Sequence, residues 1–337
     1  MPGVLIYGLG NFGYAILKHL DRHKRSQYKI YAFDRNPKVM ARLQRYRRHL
    51  RIKPKHKISK DIILPTNLAE VFPSIDILVL AITASSIPEV LAQLNQLPRT
   101  RKKLLIINTA KALAPKTGER LEKVIAQHLI HPHTYVYIAG GTIAEDLYNS
   151  HPLGATVAST SASARRQAEN LLASNNFRLY HTRDVAGTEY CAAFKNVIAI
   201  FAGIVSGLGW PYGSETYFIS RFSKEVERFV HKEFKGQLTT FSMDSQCWGN
   251  DLWMSCTGKT RNREFGYLIG RGMSADLALK KMQKRKKSVE GLTTIQVLPK
   301  LIKNFSAYPF LQVMDQIVLQ NKDPETTITR LIEHKII

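Results

Sequence analysis

The sequence predicts an α/β domain with a doubly wound parallel sheet, followed by an all-α domain. Three observations carry this reading. Through roughly the first half, short continuous apolar runs alternate with helical patterns. A strand buried on both faces reads as such a run, and alternating strand and helix gives a parallel sheet covered on both sides. Past about Thr188 the strand runs stop and only helical patterns follow. The chain has 337 residues, more than one hydrophobic core usually serves. We therefore expect residues 1–187 to form an α/β domain and residues 188–337 a helical one.

The elements follow in order. "VLIY" is the first strand, and "GLGNFGYA" leads from it into a helix starting near Asn11. "KIYAF" is the second strand, followed by the helical "NPKVMARLQRY". "DILVLAI" leads through "TASSIPEVL", and "KLLIINT", "TYVYIAG" and "GATVAS" complete the strands. In the second half, "EYCAAFKNVIAIFAGIVSGLG" is apolar around the whole helical wheel, so it is expected to be enclosed on all sides. "SETYFISRFSKEVERFVHKEF", "SADLALKKMQKRKK", "TTIQVLPKLIKNF" and "ETTITRLIEHK" are the remaining helical patterns.

Composition bounds the function. Hydrophobic residues make up 44% and charged residues 22%, as in an ordinary globular protein. The net charge of +23 favours acidic partners such as phosphorylated substrates, nucleic acid or anionic membranes. The positive charges are scattered, however. The densest runs are "RYRRHLRIKPKHK" from Arg45 and "KKMQKRKK" from Lys280, and the second reads as a solvated helix end. Neither run has the interleaved aromatics of a single-strand binding groove, which argues against nucleic acid. Three cysteines without a CxxC pair argue against a disulfide scaffold or a metal site, and fit a reduced cytoplasmic setting. The first strand begins almost at once, so no signal peptide is expected. No membrane span is expected either, because Lys195 interrupts the best apolar stretch.

Three constellations carry chemistry. Gly8, Gly10 and Gly13 have G-x-G-x-x-G spacing between a strand and a helix. In that context the glycines let the backbone turn sharply, approach a pyrophosphate and pack helix on strand. Asp34 lies about 20 residues on, where an acid meets the ribose hydroxyls of NAD; Arg35 beside it could meet the 2′-phosphate of NADP. Both are present, and the residues alone leave the choice open. Lys111 follows the strand "LLIINT", where ligands of such sheets lie. In "NDLWMSCTGKTRNREFG", Asp251 sits in an apolar context, and Thr260, Arg261 and Asn262 open a helical pattern suited to holding a phosphate. Lys195, inside the apolar helix, must be paired, neutralised or useful, because burying a lone ammonium is expensive.

These pieces, in this order, resemble the bacterial-type NAD(P)-dependent glycerol-3-phosphate dehydrogenases nearly end to end. "GLGNFG" looks like the family's cofactor loop, and "AFDRNP" like its second-strand end. "VLAITASSIPEVL" resembles the AVPS stretch, and "IAGGTIAEDL" the SGPS stretch. "AAFKNVIAIFAGIVSGLG" resembles ALKNVIAI and the GLG that follows, and "TRNREFG" and "SVEGLTT" resemble SRNR-x-FG and VVEG-x-x-T. The resemblance implies a Rossmann-type domain and an oxidoreductase passing a hydride between NAD(P)H and dihydroxyacetone phosphate. The product would be sn-glycerol 3-phosphate for glycerophospholipid synthesis. It implies Lys195 as acid/base, with Lys111 and Asp251 beside it. It implies Gly140, Thr142, Lys111, Lys195, Asp251, Thr260, Arg261 and Asn262 around the substrate. Near the cofactor it implies Asn11, Phe12, Arg35, Lys111, Ala144, Arg261, Ser288 and Glu290. It also implies a homodimer, and use of both NAD and NADP with a modest preference for NADPH.

The sequence departs from the family pattern at Thr83, Ala112 and Gly141 and in "CWGN" at 247–250; Ser255 and Ser288 are milder changes. Every matched charged residue is kept. The departures motivate one alternative, a divergent paralogue reducing another phosphorylated or carboxylated ketone. A second alternative, motivated by the charge, is a non-catalytic nucleotide-binding protein.

Overall fold

The structure is a computed structural model that describes residues 1–52, 56–100 and 102–333. Residues 53–55 of the basic run from Arg45, and the end of the last helical pattern beyond Glu333, lie outside the described residues. The chain forms two compact units. One is Met1–Ala110 with Leu121–Val185; the other is Lys111–Arg120 with Ala186–Ile337. Lys111–Arg120, expected in the first domain, therefore belongs to the second unit. Its partners explain why: Lys111 binds Asp251, Gly118 packs on Leu301 and Val297, and Lys300 bonds the Lys116 carbonyl.

The first unit holds a sheet of seven strands: β1 (Gly3–Tyr7), β2 (Lys29–Phe33), β3 (Ile75–Leu80), β4 (Leu104–Asn108), β5 (His133–Ala139), β6 (Leu153–Ala158) and β7 (Phe177–Thr182). Their order is β2-β1-β3-β4-β5-β6-β7. β1 and β4 are buried at every residue, as continuous apolar runs require. The sheet departs from the expected all-parallel arrangement, because β6 runs antiparallel to β5. A parallel return needs a crossover long enough to carry the chain back along the sheet. Only the short helix Ala144–Asn149 joins these two strands. β7, parallel to β6 at the sheet edge, was not apparent in the sequence. Mostly exposed or half-buried, "FRLYHT" has no apolar run to reveal it.

The turn after β1 is shaped by two glycines. Gly8 has φ +97°, and a Cβ there would lie 2.5 Å from the Ile82 side chain and 2.7 Å from the Ala81 carbonyl oxygen. A Cβ on Gly13 would lie 2.0 Å from the Gly8 carbonyl oxygen, so the helix Asn11–His23 can sit this close only with glycine there.

The second unit is helical among the described residues. Its central helix, Val185–Gly207, is long and apolar enough to cross a membrane by composition, yet almost all of it is buried in the fold. The helix Arg261–Gly270 approaches it at backbone distance: a Cβ on Gly266 would lie 1.9 Å from the Ile200 carbonyl oxygen. Phe201, Phe222 and Phe310 pack edge-on and stacked at 5.1 to 5.7 Å between centroids. Phe310 belongs to a further helix, Pro309–Val318, which is not among the helical patterns named above. Its signal was there: proline at the first helical position ahead of an apolar repeat. The basic run from Lys280 lies largely on the helix Ala275–Lys284, with Asp276 in the first turn and lysines in the last, as the macrodipole favours. Arg285 and Lys287 past its end both pair with Glu264.

Candidate active site

The candidate residues fall into two groups, one in each unit. In the first unit, Gly8, Gly10, Asn11, Phe12 and Gly13 form the turn from β1 into its helix. A Cβ built on Gly10 meets nothing within 4 Å, so this glycine faces open space. The helix start has no side-chain cap and no acidic residue in its first turn. Its leading N–H groups are thus offered outward, the arrangement that receives a phosphate. Asn11 is exposed and its carbonyl accepts from Tyr148 Oη at 2.6 Å, while Phe12 packs partly against the core. These features fit a dinucleotide pyrophosphate.

Asp34 and Arg35 stand just past β2. The Asp34 carboxylate accepts the Leu9 N–H at 2.7 Å and the Asn36 N–H at 2.8 Å, so it braces the glycine turn from the side. Arg35 pairs with Glu89 and donates to Ser86 Oγ. Gly140, Thr142 and Ala144 follow β5: the Thr142 N–H closes a turn on the Gly140 carbonyl at 2.7 Å, and Ala144 begins the short helix.

In the second unit, Lys195 reaches from the apolar helix to Asp251. Its Nζ donates to Asp251 Oδ1 at 2.7 Å and to Ser255 Oγ at 2.9 Å. Asp251 is 0% exposed, and its other oxygen accepts from Lys111 Nζ at 3.3 Å. Two lysine amino groups thus flank one buried carboxylate. Burial lowers the pKa of Lys111, as does the neighbouring Lys195 charge, while Asp251 opposes both.

Around this cluster runs a chain of amides. Asn196 Nδ2 donates to the Lys111 carbonyl at 3.3 Å. Asn262 Nδ2 donates to Asn196 Oδ1 at 2.9 Å, and Asn262 Oδ1 accepts the Gly291 N–H at 3.0 Å. Thr260 caps the helix Arg261–Gly270, its hydroxyl accepting from the Arg263 N–H and donating to the Ser255 carbonyl. Arg261 Nη1 donates to Ser288 Oγ at 2.6 Å, and its Nη2 lies 3.8 Å from Glu290. Arg263, by contrast, points its guanidinium at Glu215 with two bonds.

Ser255 and Asn196 were not assigned roles from sequence. Ser255 lies four residues after Asp251 on the helix Asp251–Thr257, so the two share a face, a spacing that could have pointed to it. The departures at 247–250 go into packing and backbone shape. Cys247 and Trp248 are buried, Trp248 against Phe241, and 246–250 form a π-helical turn that runs into Asp251.

Comparison with known proteins covers both units. A family model described as NAD-dependent glycerol-3-phosphate dehydrogenase N-terminus matches residues 3–165, and its C-terminus counterpart matches residues 184–329. The chain is 31% identical over 304 residues to a glycerol-3-phosphate dehydrogenase [NAD(P)+] of Syntrophomonas wolfei, covering 89% of this chain and 85% of the relative. It is 29% identical to one of Clostridium botulinum, covering 98% and 97%. Among solved structures, glycerol-3-phosphate dehydrogenase of Coxiella burnetii shares the fold with TM-score 0.84 at 23% identity, covering 98% of this chain and 99% of that one. The Plasmodium falciparum enzyme does so with TM-score 0.88 at 18% identity, covering 97% and 94%.

Proposed function

Because the chain belongs to the NAD-dependent glycerol-3-phosphate dehydrogenase family, we propose that it interconverts dihydroxyacetone phosphate and sn-glycerol 3-phosphate, using NAD or NADP. The observation that carries this reading is the buried Asp251 carboxylate held between Lys195 and Lys111.

When bound, the reduced nicotinamide supplies a hydride to C2 of the ketone. The chain's own residues answer the charge that this creates. As C2 is reduced, its oxygen becomes an alkoxide and needs a proton. The Lys195 ammonium has three N–H groups, and Asp251 and Ser255 engage two of them. The third is the proton we assign to the substrate oxygen. Asp251 holds the ammonium in direction, and Lys111 adds positive charge next to the developing anion. Arg261 and Asn262, with the first N–H groups of the helix that Arg261 begins, are suited to the substrate phosphate. Gly140 and Thr142 are assigned to the substrate. Ala144, Arg261, Ser288 and Glu290 are assigned to the cofactor, together with the glycine turn, Asn11, Phe12, Asp34 and Arg35. The preference expected is modest and for NADPH.

The product's role is to supply the glycerol backbone of phospholipids. The family resemblance also supports a homodimer in the cytoplasm, which sedimentation and cell fractionation test. The main test is loss of reduced-nicotinamide absorbance with dihydroxyacetone phosphate, run beside a panel of other phosphorylated and carboxylated ketones. Turnover confined to dihydroxyacetone phosphate supports the reading. Faster turnover of another ketone replaces the substrate and keeps the chemistry. Binding of nucleotide without turnover of any ketone overturns the enzyme.

A further inference from the structure

Arg35 is held by a set of groups that the proposed chemistry does not use. Its Nη1 pairs with the Glu89 carboxylate, and its Nη2 donates to Ser86 Oγ at 3.2 Å. Ser86 is the N-cap residue of the helix Ile87–Leu94, yet its side chain caps nothing. Its hydroxyl lies instead 3.0 Å from Thr83 Oγ1, which also reaches Ser85 Oγ. Glu89 lies in the first turn of the same helix, where the macrodipole favours a carboxylate. Both members of the Arg35–Glu89 pair are about half exposed, so the pair adds little to fold stability. Its position gives it another consequence. In a doubly wound sheet the adenosine ribose of a dinucleotide lies at the end of the second strand, where Arg35 stands.

We propose that Glu89 is a specificity-determining residue for the cofactor: by occupying Arg35, it levels the affinities for 2′-phosphorylated and unphosphorylated dinucleotides. The proposal rests on the reading that the chain binds NAD(P). A guanidinium free of carboxylate can take a phosphate through two parallel N–H bonds. With Glu89 in place, one edge of the fork is already used, and a second negative charge stands where the 2′-phosphate must arrive. A ribose without that phosphate makes no such demand on Arg35. Glu89 thus controls the ratio of the two affinities and leaves the NAD affinity nearly untouched. Asp34 has an oxygen on each of two backbone N–H groups, and the carboxylate paired with Arg35 is that of Glu89.

The test is calorimetric titration of the full chain with NADP+, NAD+ and adenosine 2′,5′-bisphosphate, without substrate. Glu89→Gln is expected to tighten NADP+ and the bisphosphate by about tenfold while NAD+ changes by less than about twofold. Glu89→Ala gives the same readout through a different truncation, and thermal unfolding of each sample checks that it is folded. In an Arg35→Ala background, Glu89→Gln is expected to lose most of its effect, because the carboxylate acts through the guanidinium. An NADP+ to NAD+ ratio that neither Glu89 variant changes overturns the proposal. So does an undiminished gain in the Arg35→Ala background. A wild-type chain that binds NAD+ and NADP+ alike keeps the dinucleotide reading whatever the variants do. One that binds neither overturns that reading and this proposal together.

Discussion

At the turn after β1 the helix start carries no side-chain cap, the Asp34 carboxylate braces the turn through backbone N–H groups, and the Arg35–Glu89 pair beyond it is half exposed. In the Lys195 cluster the working groups are side chains, Asp251 is wholly buried, and each charge has an opposite charge within 3.3 Å. The first region depends on shape: two glycines set the path of the chain, and a third leaves room. The second depends on charge balance. Removing one partner strands another in a low-dielectric interior, and that is costly. The turn is open and built from backbone, whereas the cluster fixes a few charges in the interior.

The largest expected effect therefore falls on the buried cluster. Lys195→Met keeps the apolar helix and leaves Asp251 with Lys111 alone. Turnover of dihydroxyacetone phosphate is expected to fall by about two orders of magnitude or more, the usual loss when a general acid is removed. Steady-state kinetics on a variant shown to be folded checks this, and near-normal turnover would remove Lys195 from the chemistry.

Arg261→Ala comes next and tests whether the cluster's surroundings read the phosphate. Transition-state stabilisation is expected to drop by roughly 2–4 kcal/mol with dihydroxyacetone phosphate, and much less with unphosphorylated dihydroxyacetone. An equal loss with both substrates would make Arg261 structural or a cofactor contact.

A second buried carboxylate sharpens the comparison. Glu225 is satisfied by the Phe310 and Leu311 N–H groups at the start of the helix Pro309–Val318, rather than by flanking lysines. Burial pushes its pKa up from 4.5 to about 7. A carboxyl that is harder to ionise in the folded state than in the unfolded chain costs stability as pH rises. The loss begins near the unfolded value of 4.5 and is complete above about 7. Glu225→Gln removes this dependence. Relative to wild type, the variant is expected to gain on the order of 3 kcal/mol between pH 4 and pH 8. Thermal denaturation across that range is the measurement, and a constant offset between the two proteins would refute the titration.

The smallest effect separates shape from room within the glycine turn. Gly10→Ala points a methyl into open space, so it should leave thermal stability within about 0.5 kcal/mol while weakening dinucleotide affinity. Gly13→Ala meets the Gly8 carbonyl and should lower stability itself. Similar unfolding temperatures for the two variants would mean that the turn tolerates a side chain at either position.

Much of this was legible because the signals were local. The glycine spacing sits between a strand and a helix pattern, and Lys195 stands out in an apolar run. What stayed hidden depends on groups far apart in the chain. Nothing near Lys111 says that its segment packs with residues beyond 186, because its partners Asn196 and Asp251 lie 85 and 140 residues away. The reversal at β6 depends on how short the intervening helix is, and β7 is too exposed for an apolar run. The Glu89–Arg35 pair spans 54 residues and joins two surface charges, each unremarkable by itself.

The excursion of Lys111–Arg120 out of the sheet unit also sets an order of events in time. During synthesis Lys111 is made 140 residues ahead of Asp251. At roughly 5–20 residues per second, that is a wait on the order of ten seconds. Through it, β5 can pair with β4 while Lys111–Arg120 waits for the later residues of its unit. The glycine turn is an early product of the ribosome, and the two-lysine cluster is a late one. A nascent chain that has passed β7 but not reached Asp251 holds every strand of the sheet and still lacks the carboxylate of the cluster.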